Sequence, residues 1–230
     1  MKNNTTGILY LVSTPIGNYD DITFRALKIL QRVDIVVCEE RKEGLKMLAH
    51  YKIEKSVECL NEHNESLVAN ALVTELRNGK NIALISDCGT PVFSDPGFIL
   101  VRKAIASHIT IVPVPGASSL LPAIIASGFD IKQFLFYGFL SPKRNRRIEE
   151  LKKLRAEKNT FILMDAPYRL LQVLRDIADI FGATRKLSIA FNLTMDDEKI
   201  VRGYANELRN HFERENAKGE FVIVVEQLPQ

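Results

Sequence analysis

The densest group of chemistry-bearing residues is the segment Ser86-Asp87-Cys88-Gly89-Thr90-Pro91-Val92-Phe93-Ser94-Asp95-Pro96-Gly97, between an apolar β-type run and a helical pattern. Gly89 and Gly97 let backbone come close to a ligand, and the prolines hold the loop stiff. Alone, the segment suits a tight turn with Asp95 as a helix cap. Two more loops of this kind follow predicted strands, Thr14-Pro15-Ile16-Gly17-Asn18 and Pro115-Gly116-Ala117-Ser118-Ser119. In open α/β sheets ligands gather at the carboxyl ends of the strands. Three such loops at one edge make a cleft for a small molecule.

A second group is acidic and basic together. Glu39, Glu40 and Arg41 stand just beyond the apolar run Asp34 to Cys38, and Glu62-His63-Asn64 precedes a helical pattern. A carboxylate there suits proton acceptance or orientation of a substrate hydroxyl. Arg41 suits a phosphate through its planar fork, and His63 is a rival base because imidazole titrates near neutrality. On spacing alone Glu39, Glu40 and Arg41 better suit a charged loop start, and His63 a turn residue before the helix cap. A third group is the basic run Lys143-Arg144-Asn145-Arg146-Arg147, continued by Lys152, Lys153 and Arg155. Clustered cations gain affinity for nucleic acid by releasing condensed counterions. Glu149, Glu150 and Glu157 fit a solvated helix face as well.

Other chemistries are excluded by absence. No G-x-G-x-x-G follows a strand, and there is no G-x-x-x-x-G-K-[ST] or G-x-S-x-G. His50, His63, His108 and His211 have no metal-ligand spacing, so no metal is expected.

The elements that must position these residues are those of an α/β protein. Predicted strands are Ile8–Val12, Asp34–Cys38, 81–86 and Ile109–Val114 in the first half. The second half has strands at 134–140, 160–164, 187–193, 200–204 and 221–226. Helical spacing marks Ile22, Ala26, Ile29, Leu30 and Val33. A helix capped by Asn64 runs through Leu67, Ala71, Leu72 and Leu76 to Gly79. Another starts at Asp95 with Pro96 in its first position and presents Val101, Ala104 and Ile105. The stretch 117–127 reads as a connecting helix. Further helical patterns lie around 146–157, 168–181 and 206–216. Pro113, Pro115 and Gly116 put a domain boundary near 117, dividing the chain into 1–117, a mostly parallel sheet carrying the cofactor and substrate loops, and 118–230. Closely spaced strands in the second domain predict a partly antiparallel sheet. The 230 residues suffice for two small domains, and a net charge of +3 leaves any basic site local. Three cysteines without a framework, a polar start and no membrane-length apolar run lead us to expect a cytoplasmic, soluble protein.

The chain resembles the tetrapyrrole methylase superfamily, and within it the branch of ribosomal RNA small subunit methyltransferase I. LYLVSTPIGNYDDITFRAL, LNEHNES, ALISDCGTPVFSDPG, VPVPGASSLLPAIIASG, FLFYGFL and GEFVIVVE carry the resemblance, in order, over nearly the whole chain. S-D-x-G-T-P-x-x-S-D-P-G with an upstream T-P-I-G-N is specific to the branch. The resemblance implies two α/β domains of the class III methyltransferase type, with S-adenosylmethionine between them. It also implies a homodimer and methylation of a cytidine 2′-hydroxyl of 16S ribosomal RNA. Carried over, the cofactor residues are Ile16, Gly17, Cys88, Gly89, Thr90, Phe93, Ser118 and Ser119. Met164, Ala190 and Leu193 line the adenine side. The resemblance turns Lys143, Arg144, Arg146 and Arg147, with Arg169, into RNA contacts. Three places depart from the family's pattern: Cys38-Glu39-Glu40-Arg41, Met164-Asp165-Ala166-Pro167-Tyr168-Arg169 and Phe191-Asn192-Leu193-Thr194. They leave two alternatives open, a methylase of a tetrapyrrole or other small molecule and a non-catalytic RNA-binding paralogue.

Overall fold

The computed structural model describes residues 6–182 and 185–228. The chain divides into two compact units, 1–118 and 119–230.

In the first unit, β1 (Ile8–Val12), β2 (Ile35–Cys38), β3 (Ser56–Cys59), β4 (Ile82–Ile85) and β5 (Thr110–Val114) form one sheet in the order β3-β2-β4-β1-β5. Every pairing is parallel. All carboxyl ends therefore share one edge, and β4, β1 and β5, which carry the three glycine loops, are neighbours there. The β2 and β4 strands read IVVC and IALI and are buried throughout, because helices cover both faces. On one face α1 (Phe24–Arg32) and α2 (Arg41–His50) bury Ala26, Leu30, Met47 and Leu48 against Val12, Val36, Cys38 and Ile85. On the other, α3 (Glu65–Arg77) and α4 (Phe98–Ala106) bury Leu72, Leu76, Leu100 and Ala104 against Leu9, Val37, Ile82 and Leu84.

The second unit holds β6 (Phe134–Phe139), β7 (Thr160–Asp165), β8 (Lys186–Phe191), β9 (Lys199–Tyr204) and β10 (Phe221–Val225), ordered β6-β7-β10-β8-β9. Only the β6–β7 pair is parallel, so this sheet is mixed, as its close strand spacing predicts. The α6 (Arg144–Leu154), α7 (Leu170–Phe181) and α8 (Ala205–Arg214) helices supply Leu151, Leu154, Val173, Leu174, Ile177, Leu208 and Phe212 to one core. The connecting helix α5 (Leu120–Ser127) packs on β8, β9 and β10.

Sequence reasoning missed α2 and β3. It also placed the start of α4 too early. The N-cap is Gly97 at φ 129°, and Pro96 lies outside the helix. Asp95 does not cap α4. Its carboxylate accepts from Ser86 Oγ at 2.5 Å, and Glu65 caps α4 instead, taking the Gly97 and Ile99 N–H groups at 2.8 Å each. Leu100 fills the core position, while Ile105 is exposed. Asn64 precedes α3 but its side chain turns back to accept from Asn61 N–H at 2.8 Å.

Candidate functional site

The three loops are laced together at the carboxyl edge of β4, β1 and β5. Thr14 N–H donates to Gly89 O at 2.9 Å, and Thr14 Oγ1 to Ser86 O at 2.9 Å. Ser13 N–H donates to Val114 O at 3.2 Å, and Ser13 Oγ lies 3.2 Å from Thr90 Oγ1. Thr90 Oγ1 in turn donates to Ala117 O at 3.4 Å, and Cys88 Sγ to Ile16 O at 3.6 Å. Gly89 adopts φ 88°, a backbone that L side chains rarely take. A Cβ there would lie 3.2 Å from Ile16 Cγ2 and 3.8 Å from Ala117 O. Gly116 must also be glycine, because a Cβ would meet Ser13 Cβ at 2.9 Å. Val92 stands at φ 70°, where a β-branched residue is strained, and such strain concentrates at ligand-binding segments. Of the sequence-expected cofactor residues, Ile16, Cys88, Gly89 and Thr90 are thus brought together. Gly17 and Phe93 are exposed at the rim. Ser118 ends the first unit, and Ser119 is the N-cap of α5.

In the second sheet, Met164 and Ala190 are both register partners of Val222. They therefore share one face and one cross-strand row. Ala190 is buried and Met164 half-buried. Leu193, also buried, follows β8 in a loop where Asn192 and Thr194 have φ 47° and 69°.

The acidic group at the ends of β2 and β4 is larger than its sequence showed. Burial raises the Glu39 carboxyl above its ordinary range, and the charges of Asp95, Asp87, Glu62 and Glu40 raise it further. Burial also raises Asp87, partly offset by the Glu40 N–H, which donates to Asp87 Oδ1 at 3.4 Å. Asp87 and Asp95 were read only as parts of the glycine loop. Their convergence on Glu39 follows from β2 and β4 being sheet neighbours. Arg41 is less available than expected, since its guanidinium donates to Val57 O and ties α2 to β3. His63 is exposed, and its backbone N–H donates to Asn61 Oδ1 at 3.1 Å.

The basic run is corrected by the structure. Arg147 is 2% exposed; its Nε and Nη2 each lie 2.7 Å from Asp176 Oδ2, and Nη1 donates to Ser141 O and Pro142 O. Arg169 is also buried, pairing with Asp165 at 2.8 Å and donating to Leu140 O and Ser141 O. Each guanidinium is taken up by an internal carboxylate and by carbonyls that follow β6, which leaves neither exposed as the expected phosphate contact would be. Arg144 is exposed but leans on Asp176 and Asp179. Lys143 and Arg146 are exposed.

Residues 8–209 match the family of Tetrapyrrole (Corrin/Porphyrin) Methylases. The chain is 42% identical over 226 residues to the ribosomal RNA small subunit methyltransferase I of Pasteurella multocida, covering 97% of this chain and 80% of that one. It is 39% identical over 220 residues to the Bacillus subtilis protein of the same name, covering 96% and 75%. The chain belongs to the tetrapyrrole methylase family, in the branch of ribosomal RNA small subunit methyltransferase I. Solved structures share its fold. The cobalamin-biosynthetic cobalt precorrin-4 methyltransferase superposes with TM-score 0.70 at 19% identity, over 95% of this chain and 94% of that one. Uroporphyrin-III C-methyltransferase of Thermus thermophilus, in complex with S-adenosylhomocysteine, gives 0.64 at 13%, over 96% and 97%. The α/β fold of two sheets that the sequence implied is the fold of these methyltransferases. Among the described residues no group of His, Cys, Asp and Glu is arranged to hold a metal, and no helix is long and apolar enough to cross a membrane.

Proposed function

We propose that the chain is an S-adenosylmethionine-dependent methyltransferase acting on a cytidine 2′-hydroxyl of small-subunit ribosomal RNA. The observation that carries the reading is the laced set of loops at the ends of β4, β1 and β5, with the buried Gly89 at φ 88° at its centre. A Cβ at Gly89 would press on Ile16 Cγ2 at 3.2 Å and would need an unfavourable backbone, so the loop keeps this shape only with glycine, and a backbone fixed in that way suits a cofactor held by main-chain contacts. Ile16, Gly17, Cys88, Gly89, Thr90, Phe93, Ser118 and Ser119 are the proposed contacts. For Met164, Ala190 and Leu193 the support is the family's pattern. The neighbouring carboxylates add a negative field that favours a cationic sulfonium.

When bound, the cofactor supplies an already activated methyl group, so the protein's task is mainly alignment of donor and hydroxyl. Glu39 is the proposed proton acceptor. It is half-buried, and its raised affinity for a proton makes it a better base near neutral pH than an exposed carboxylate. Glu40 presents its backbone N–H to Asp87. Arg41 holds β3 and α2 in register behind the site. Relatives named for small-subunit ribosomal RNA support the RNA substrate, with Lys143, Arg146 and the exposed side of Arg144 as phosphate contacts. A cytoplasmic homodimer is part of the same reading, checked by sedimentation.

Purified chain, labelled S-adenosylmethionine and small-subunit particles from a strain lacking the gene test it. Nucleoside mass spectrometry should show new 2′-O-methylcytidine. Label on a base, or on a tetrapyrrole but not on RNA, overturns the substrate; no transfer together with no cofactor binding overturns the methyltransferase reading.

A further inference from the structure

Two of the three cysteines stand opposite each other. Cys38 ends β2 and Cys59 ends β3, and they are direct register partners in a parallel pair. Side chains of in-register residues point to the same face, and Val36 and Val57, two residues earlier on each strand, lie in one core cluster. The Cys59 thiol is close enough to that of Cys38 to raise its hold on a proton. Neighbouring strands run ~4.8 Å apart, inside the ~4.4–6.8 Å Cα range that disulfides span. The sulfur of Cys38 is held in place. A Cβ on Gly44 of α2 would meet it at 2.6 Å, and it also donates to Glu40 O at 3.5 Å.

We propose that Cys38 and Cys59 are an oxidisable pair that closes to an intramolecular disulfide when the chain meets a hydroperoxide. The partly exposed Cys59 reacts first. Its sulfur attacks the terminal peroxide oxygen, the O–O bond breaks, and the alkoxide leaves with the thiol proton, giving Cys59 sulfenic acid and an alcohol. Cys38 then attacks the Cys59 sulfur, the S–O bond breaks, and hydroxide takes the Cys38 proton and departs as water. Two thiols and one hydroperoxide become one disulfide, one alcohol and one water. The order follows from burial. Cys38 is fully buried, and burial, with Cys59 and Asp87 nearby, pushes its thiol up to about 12, so it resolves and does not initiate. Such a bond is a transient modification in a reducing compartment. It would pin the strand ends from which Glu39, Glu40 and Arg41 depart.

The test uses the full chain treated with hydrogen peroxide, then alkylated in denaturant and digested with trypsin. The expected product joins the peptide 33–41 to the peptide 56–77 with loss of two hydrogens, and dithiothreitol returns both as free thiols. The exposed Cys88, in peptide 81–102, reports non-specific oxidation. In Cys59→Ser the linked peptide should vanish and Cys38 should stay reduced. Cys59 is only half-buried, so this variant is expected to fold, which circular dichroism checks. The proposal is overturned if treated parent protein carries Cys59 as sulfinate while Cys38 remains alkylatable. It is equally overturned if Cys59→Ser loses its Cys38 thiol as fast as the parent.

Discussion

Truncating the basic run one residue at a time should split it into two classes with opposite readouts. Arg147→Ala removes one partner of a pair in which both side chains are 2–3% exposed, with two 2.7 Å contacts to one carboxylate oxygen. It leaves Asp176 buried, with only the exposed Arg144 beside it. Breaking a buried pair in this way costs about 3–5 kcal/mol, mostly the penalty of the stranded charge. Arg146→Ala and Lys143→Ala remove exposed cations and should shift stability by no more than about 0.5 kcal/mol. For RNA affinity the order reverses. Each lost phosphate contact should flatten the slope of log affinity against log salt by about 0.7–0.9. That loss is expected for Arg146→Ala and Lys143→Ala and not for any Arg147 variant that still folds. Replacing the pair together, Arg147→Met with Asp176→Leu, should recover most of the lost stability, since matched apolar side chains strand no charge. Urea unfolding followed by circular dichroism gives the first quantity, and RNA titration between low and moderate salt the second. If Arg147→Ala melts within about 1 kcal/mol of the parent and flattens the salt slope like Arg146→Ala, the inward assignment is wrong.

Cofactor binding should appear in calorimetry with S-adenosylmethionine or S-adenosylhomocysteine, and saturation at a hundredfold over Kd should stabilise the fold by about 2.7 kcal/mol. Gly89→Val should abolish that shift, because the added side chain needs an unfavourable φ of 88° and crowds Ile16. Glu39→Gln should stabilise the chain at neutral pH. The folded-state affinity of Glu39 for its proton is raised, so its favourable contribution is complete below about 4.5 and fades as pH climbs through the higher folded value. Thermal melts should therefore converge with the parent below pH 4.5 and separate above it. At saturating cofactor the same variant should lower methyl transfer ~10²-fold, whereas His63→Ala should transfer at the parent rate.

The strands and the glycine loops were legible because each is a local signal. Fully buried parallel strands read as unbroken apolar runs, and Gly with Pro after such a run reads as a turn at the sheet edge. The elements that escaped have weak local signals. α2 buries only Gly44, Met47 and Leu48 and carries a glycine mid-helix, and β3 buries one residue of four. The acidic group escaped for another reason. Glu39, Asp87 and Asp95 converge only once β2 and β4 are known to be neighbours, which the chain order hides by placing β3 between them. Arg147 is the instructive middle case. Its residue type argued for RNA, but its position did not. Arg147, Leu151 and Leu154 stand at i, i+4 and i+7 and form the buried stripe of α6. Spacing alone therefore turned Arg147 inward, against the four cations beside and beyond it that the helix leaves exposed. What spacing could not supply was Asp176, a carboxylate 29 residues away on α7, without which an arginine at that phase would have had no reason to stay.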